Sequence, residues 1–279
     1  AQSTNAQSVK SFDSDGFTLG TFDGMNTDTE TYVAWNWKAG TTTGLTGGTI
    51  TPTSYSINTT SGVGIYQYTG NEVSGATIAH GLGVIPQMII VKRTQTTGDW
   101  MVYHEFNGNG KYLSLNGSAA AATSTSAWND TSPTSTLFYL GDGSYVNADS
   151  STYIAYAFAP INGYSKFGTY SGNGNADGPM LYTGFRPSMV IVKNAGADEA
   201  WRQWDDKREG YNPTNDSLSP NNSWTEAFGG TAQGVNLLSN GFKITSSNSE
   251  VNTSGTQYIY AAWAQFPTVS SNDVPTVAR

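Results

Sequence analysis

The stretch Gly81-Leu82-Gly83-Val84-Ile85-Pro86-Gln87-Met88-Ile89-Ile90-Val91-Lys92 decides the fold, because its latter half recurs as Gly184-Phe185-Arg186-Pro187-Ser188-Met189-Val190-Ile191-Val192-Lys193. In both copies a glycine lies three residues before a proline, and a methionine followed by three aliphatic residues leads to a lysine. This pattern is typical of a tight turn followed by a buried strand. The two prolines are 101 residues apart, which is too long for a solenoid or propeller-blade period and suits one small domain per copy.

The composition favours short strands joined by polar turns. Of 279 residues, 12% are charged, 13% are aromatic and 32 are glycine. The low Lys and Glu content argues against long surface helices, and the aromatic content argues against disorder. A net charge of -8 makes nucleic acid a poor partner. Because there is no cysteine, stability has to come from core area, from contacts between subunits, or from both.

The hydropathy of the chain predicts no membrane insertion. No apolar run approaches the length of a membrane span, and no basic-then-apolar segment opens the sequence. The sequence therefore gives no indication of a cleavable secretion signal.

The recurring segments predict a division of the chain into four parts. They are an N-terminal arm with a partial repeat at 1–48, a first β-sandwich repeat at 49–162, a second at 163–267, and a C-terminal tail at 268–279. The partial repeat matches the end of a complete copy, since Asp15–Leu19 resembles Asn240–Ile244 and Tyr32–Trp37 resembles Tyr258–Trp263. Thr31–Trp37 alternates between larger and smaller side chains and is predicted to be a strand.

The predicted fold class is all-β. Each complete copy contains at least five or six strand-like segments at intervals near ten residues, the spacing expected of an antiparallel sandwich. We therefore predict two tandem antiparallel β-sandwich domains, lectin-like or jelly-roll-like, from an internal duplication and preceded by a partial third copy. A short helical turn is the alternative for the Ala-rich stretch at 118–122.

A cluster of aromatic and charged side chains near residue 204 is the candidate ligand-binding site. It consists of Trp201, Trp204, Asp205 and Arg208. An exposed aromatic ring can stack on a sugar, and planar polar groups can bind its hydroxyls. The alternative is that Trp201 belongs to the core and that Asp205 pairs with Arg208 to fasten a loop.

No catalytic or metal site is predicted. His80 and His104 have no metal-ligand spacing between them, and His80 suits a turn before Gly81. The carboxylates available for glycoside hydrolysis, Asp205, Asp206, Glu209 and Glu226, lie in predicted loops. No nucleophile elbow is present, and a thiol nucleophile is excluded by the lack of cysteine. The expected cofactor set is empty.

Five motifs in order resemble repeat domains of tail-fibre or appendage proteins from marine and cyanobacterial bacteriophages. They are the Asp-Gly-Phe opening, Tyr32–Gly40, His80–Lys92, Leu237–Phe242 and the ending Ala278-Arg279. The resemblance covers most of the chain from Phe12 onward. It implies a virion structural or host-recognition component, and it supplies no catalytic residue.

The residues and the resemblance together predict a non-enzymatic protein at the virion surface or outside the cell. Its expected partners are copies of itself, as a trimer or a helical assembly, and host cell-surface glycans. One alternative is a self-assembling filament or tube subunit without a receptor role. A second is the carbohydrate-binding module of a glycan-active enzyme.

Overall fold

Short antiparallel strands form most of the regular structure in the computed structural model, which describes residues 4–226 and 234–266. The strands are β1 Val9–Phe12, β2 Phe17–Leu19, β3 Ser54–Asn58, β4 Val63–Thr69, β5 Ala76–Ala79, β6 Met88–Arg93, β7 Trp100–His104, β8 Lys111–Ser114, β9 Ala122–Thr123, β10 Leu137–Leu140, β11 Thr152–Phe158, β12 Ser165–Ser171, β13 Met180–Tyr182, β14 Met189–Asn194, β15 Arg202–Asp205, β16 Val235–Leu238, β17 Gly241–Ile244 and β18 Gln257–Trp263. One-turn helices are α1 Asp23–Asn26, α2 Thr125–Trp128, α3 Ser144–Asn147 and α4 Ser249–Asn252. The all-β prediction is confirmed.

The two methionine-led segments lie at equivalent places in two sheets. Strand β6 pairs with β11 on one side and β7 on the other, and β14 pairs with β18 and β15 in the same way. Alternate residues of each strand enter different cores: Met88 faces one core and Ile89 the other. A strand buried on both faces needs an apolar residue at nearly every position, which explains the uninterrupted run up to the lysine.

The two sheets share an order of strands. The first is seven-stranded, in the order β3-β4-β11-β6-β7-β8-β9, and the second is four-stranded, in the order β12-β18-β14-β15. The order β4-β11-β6-β7 of the first half (residues 49–162) thus recurs in the second half (residues 163–266). All paired strands of the described residues run antiparallel apart from one isolated parallel bridge. The predicted duplication itself remains an inference from sequence, and the equal strand order agrees with it.

Four of the five described sheets stack as four layers. The pair β10-β5 covers the outer face of the seven-stranded sheet, and the sheet β13-β17-β16 covers the outer face of the four-stranded sheet. The two large sheets pack against each other through their other faces, which the second half covers only in part on the seven-stranded sheet. Each half is therefore a two-sheet sandwich, and the larger sheet of each half packs against the larger sheet of the other.

The layer between the halves is a continuous apolar core, which we call the shared core. Phe158 of the first half packs edge-on against Trp263 of the second, with ring centroids 5.6 Å apart. Polar contacts cross the same layer: the Trp201 Nε1–H donates to the carbonyl of Ser114 at 2.9 Å, and the His104 Nε2–H donates to the carbonyl of Tyr260 at 3.1 Å. The halves consequently depend on each other for burial of their inner faces.

One detail of the sequence-based prediction is wrong, since Thr31–Trp37 forms no strand. The helical turn considered as an alternative at 118–122 does not form there: Ala122 begins the short strand β9, and the helix α2 starts at Thr125. Residues 31–37 alternate in exposure as a strand would, with Val33, Trp35 and Trp37 half-buried. A strand requires a hydrogen-bonded neighbour, and none of the described residues provides one here. Within residues 4–226 and 234–266, no helix has the length and apolar character that a membrane span needs.

Candidate functional site

The two predicted sugar-stacking rings are buried. Trp201 precedes β15 and Trp204 lies within it, with exposed fractions of 2% and 0%. Trp201 enters the shared core, whereas Trp204 enters the core between the second half's two sheets. Successive residues of a strand face opposite sides of the sheet, so Trp201 and Trp204, which are three positions apart, lie in different cores. The prediction that these rings stack on a glycan is wrong.

The two charged members of the predicted cluster fasten the loop that follows β15. The Arg208 Nε–H donates to Asp205 Oδ2 at 2.7 Å, and Asp205 Oδ1 accepts the backbone N–H of Lys207 and of Arg208 at 3.0 and 3.2 Å. Asp205 is buried, and Arg208 also pairs with Glu226 at 2.8 Å. These contacts confirm the alternative in which the pair stabilises a loop.

The other carboxylates considered for hydrolysis are also held by structural partners. Glu209 accepts the backbone N–H of Asn215 and of Asp216 through Oε2, at 2.5 and 3.2 Å. Asp206 pairs with Arg186 at 3.5 Å and accepts the Ser188 hydroxyl at 3.2 Å. Their contacts give these side chains a role in shaping loops.

Both histidines are buried and hydrogen-bonded. His80 Nε2 lies 3.0 Å from the carbonyl of Thr134, and its Nδ1 accepts the backbone N–H of Leu82 at 3.1 Å, which fixes the turn after β5. Burial lowers the pKa of His80, opposed by the Thr134 hydrogen bond. Burial likewise lowers the pKa of His104 to about 4. Among the residues that the structure describes, no group of three His, Asp or Glu side chains is placed to hold a metal ion.

A buried ion pair lies beside the predicted cluster and was not recognised from sequence. Arg202 on β15 makes a two-pronged contact with Glu250 on α4, through Nη2–Oε1 at 2.7 Å and Nε–Oε2 at 3.0 Å. The first half has Met101 and Tyr145 at the corresponding positions of β7 and α3, and both contribute to its apolar core. The second half therefore has a buried ion pair at the two positions where the first half has apolar side chains.

The inner face of the seven-stranded sheet extends beyond the area that the second half covers. There, four side chains form a row across neighbouring strands, because Gln67 pairs with Ile154, Ile154 with Lys92, and Lys92 with Trp100. Tyr156, two residues after Ile154, lies on the same face. These five side chains with Arg93 and Thr94 line an open cavity of about 460 Å³.

Two aromatic rings form one wall of this open cavity. The rings of Trp100 and Tyr156 have centroids 6.3 Å apart and planes within 25° of each other. Both are partly exposed. Lys92 Nζ donates to two carbonyls, those of Arg93 at 2.5 Å and Thr96 at 3.3 Å, and these two contacts leave one of the three ammonium hydrogens unused. Sequence analysis missed the site, because the two rings lie on different strands and only the pairing of β6 with β11 and β7 brings them to one face.

The chain matches a known family over nearly its whole length. The family's model, described as a domain of unknown function (DUF7483), aligns with residues 1–267. The chain belongs to this family. The DUF7483 match spans the N-terminal segment, both halves and the shared core, so all the features described above lie within one family domain. Curated proteins and solved structures contain no match to the chain.

Proposed function

We propose that this DUF7483 protein is a non-enzymatic structural subunit of a virion appendage of the tail-fibre type, which self-associates and recognises a host cell-surface glycan. The observation that supports glycan recognition is the open cavity with its Trp100–Tyr156 wall. Pyranose rings stack on such aromatic faces, and neighbouring polar side chains bind the hydroxyl groups. Gln67, Lys92 and Thr94 supply those polar groups.

The charge of the open cavity favours an acidic sugar. Lys92 and Arg93 line it, and no carboxylate is among its lining residues. On a chain of net charge -8 this is a locally cationic site. A carboxylated sugar would gain a charge-assisted hydrogen bond there that a neutral sugar would not. We therefore propose a glycan with a uronic or nonulosonic acid as the ligand class.

Replacing Trp100 with alanine is expected to weaken glycan binding at least about tenfold, because the stacking surface is removed. The measurement is a glycan array followed by calorimetric titration of the strongest ligand. Tyr211→Ala is the matched control, since Tyr211 is 70% exposed and lies outside the cavity. Equal binding by wild type and Trp100→Ala would overturn the assignment of the cavity, and the absence of any bound glycan would overturn the recognition role.

A filament or tube subunit without a receptor role is the second candidate. The unpaired backbone of Thr31–Trp37 favours it, since an extended segment with free N–H and C=O groups is a site for strand addition. Electron microscopy of the purified chain separates the two candidates. Discrete oligomers that bind glycan support the appendage, and long polymers that bind none support the filament.

A further inference from the structure

A local motif of a one-turn helix and the segment after it occurs three times among the described residues. Helices α1, α3 and α4 each have four residues and each end in asparagine. We call the first and second halves of the chain the complete units. In both of them a strand starts five residues after that asparagine, at Thr152 in β11 and at Gln257 in β18. The same spacing after Asn26 leads to Thr31, the start of the unpaired segment. We call residues Phe17–Trp37 the N-terminal unit.

The hydrogen bonds inside the motif are the same in all three places. The asparagine Nδ2 donates to a carbonyl six residues earlier, in the pairs Asn26–Gly20 at 2.8 Å, Asn147–Gly141 at 3.0 Å and Asn252–Ser246 at 2.7 Å. A tyrosine hydroxyl donates to a carbonyl nine residues earlier, in the pairs Tyr32–Asp23 at 3.0 Å, Tyr153–Ser144 at 2.7 Å and Tyr258–Ser249 at 2.7 Å. The N-terminal unit is therefore folded locally as the complete units are.

In the complete units, a further strand completes the motif. The ring of Tyr170 on β12 stacks on Tyr258, with centroids 4.9 Å apart and planes within 12°. The backbone N–H of Asn173, in the turn after β12, donates to Asn252 Oδ1 at 2.8 Å. The first half repeats both contacts. The ring of Tyr68 stacks on that of Tyr153 with centroids 5.1 Å apart, and the backbone N–H of Asn71 donates to Asn147 Oδ1 at 3.0 Å.

The fit requires a glycine directly after the completing strand. A side chain at Gly172 would collide with the carbonyl of Thr253, the residue that follows Asn252. Gly70 meets the carbonyl of Ala148 in the same way. Both completing strands therefore lead into the sequence Tyr-Thr/Ser-Gly-Asn. Its tyrosine stacks on the tyrosine of the motif, its glycine permits close approach, and its asparagine donates the backbone N–H.

The N-terminal unit lacks these partners. Tyr32 is 52% exposed, whereas Tyr153 and Tyr258 are fully buried. In the part of the chain that the structure describes, no backbone N–H donates to Asn26 Oδ1, and Thr31–Trp37 makes no backbone hydrogen bond. The segment is nevertheless held in place, because Trp37 packs against Phe158 and Trp263 of the shared core at 5.9 and 5.4 Å.

We propose that the N-terminal unit is an acceptor for a β-strand supplied by a further repeat of this type. The donated strand resembles β4 and β12 and ends in Tyr-Thr/Ser-Gly-Asn. It pairs with Thr31–Trp37, stacks its tyrosine on Tyr32 and donates a backbone N–H to Asn26 Oδ1. Strand addition supplies main-chain hydrogen bonds for affinity, and the tyrosine, glycine and asparagine positions supply specificity. The inference rests on the structural part of the proposed function, and it identifies the N-terminal unit as the surface at which a further repeat is added.

Hydrogen exchange on the full chain with a peptide of residues 165–175 as the probe tests the proposal. Without peptide, the amides of Thr31–Trp37 are expected to exchange rapidly while those of β18 are protected. About 1 mM peptide is expected to slow the exchange of Thr31–Trp37 at least about tenfold. Peptides carrying Gly172→Ala or Tyr170→Ala, and the chain variant Tyr32→Ala, are expected to lose this protection. Tyr211→Ala is expected to keep it.

Three results would overturn the proposal. They are protection of Thr31–Trp37 in dilute protein without peptide, no slowing at about 1 mM peptide, and equal slowing by the Gly172→Ala peptide. The first result would show that the chain already pairs this segment, and the last would show unspecific pairing with a free edge. None of these measurements involves the open cavity, so a failure here leaves the glycan titration of Trp100→Ala as an independent test.

Discussion

The Glu250→Gln variant is expected to lose about 3–5 kcal/mol of unfolding free energy, because it leaves the Arg202 guanidinium buried without its counter-charge. The Arg202 side chain is 1% exposed and that of Glu250 is 9% exposed, so solvent does not replace the lost charge. Of the hydrogen bonds that Arg202 forms with Glu250, two measure 2.7 Å. Urea unfolding followed by tryptophan fluorescence measures the loss.

The first half of the chain supplies the control for this experiment. Replacing both partners, Arg202→Met with Glu250→Tyr, introduces the residues that occupy the corresponding positions there, Met101 and Tyr145. Exchanging a buried ion pair for apolar residues of similar volume is often neutral, so the double variant is expected to lie within about 2 kcal/mol of wild type. A double variant as unstable as Glu250→Gln would show that packing, and not charge, dominates at this position.

Acidification from pH 7 to pH 4 is expected to remove about 3 kcal/mol of unfolding free energy through His104 alone. Burial lowers the pKa of this residue to about 4 from an ordinary value of 6.5, so the unfolded chain takes up a proton in this range while the folded chain does not. The stabilisation is complete above pH 6.5 and is lost as the pH falls towards 4. Unfolding curves in urea at a series of pH values measure it.

His104→Gln isolates this contribution. A glutamine amide can still donate to the carbonyl of Tyr260, and it does not titrate, so the variant is expected to show a shallower fall in stability between pH 6.5 and 4. His80 has a pKa lowered in the same direction and remains in both proteins, as do the carboxylates. The informative quantity is thus the difference between the two pH profiles, and identical profiles would contradict the role assigned to His104.

The two methionine-led strands could be predicted from sequence, because an uninterrupted apolar run is typical of a strand buried on both faces. The runs at Met88 and Met189 are apolar at nearly every position, and both proved to be inner strands buried on two faces. Thr31–Trp37 carries an equally clear alternating pattern but forms no strand. A pattern specifies the faces of a strand, whereas pairing requires neighbours that the pattern does not contain.

The site could be predicted only in part, because exposure depends on which layer covers a given face. Trp100 and Trp201 occupy corresponding positions, yet Trp100 is partly exposed and Trp201 is covered by the first half. Nothing in the local sequence reports where the opposing sheet ends.

The shared core also determines how the protein responds to heat and to proteases. Because Phe158 and Trp263 bury each other across the two halves, each half exposes its apolar inner face to water when the other is lost. A nick in the connection at 159–164 should leave the fragments clamped together, and calorimetry should record a single melting peak for the whole assembly of layers. Such all-or-none behaviour would give the chain a cross-half linkage of the kind that disulfides provide in other proteins and that a chain without cysteine cannot form.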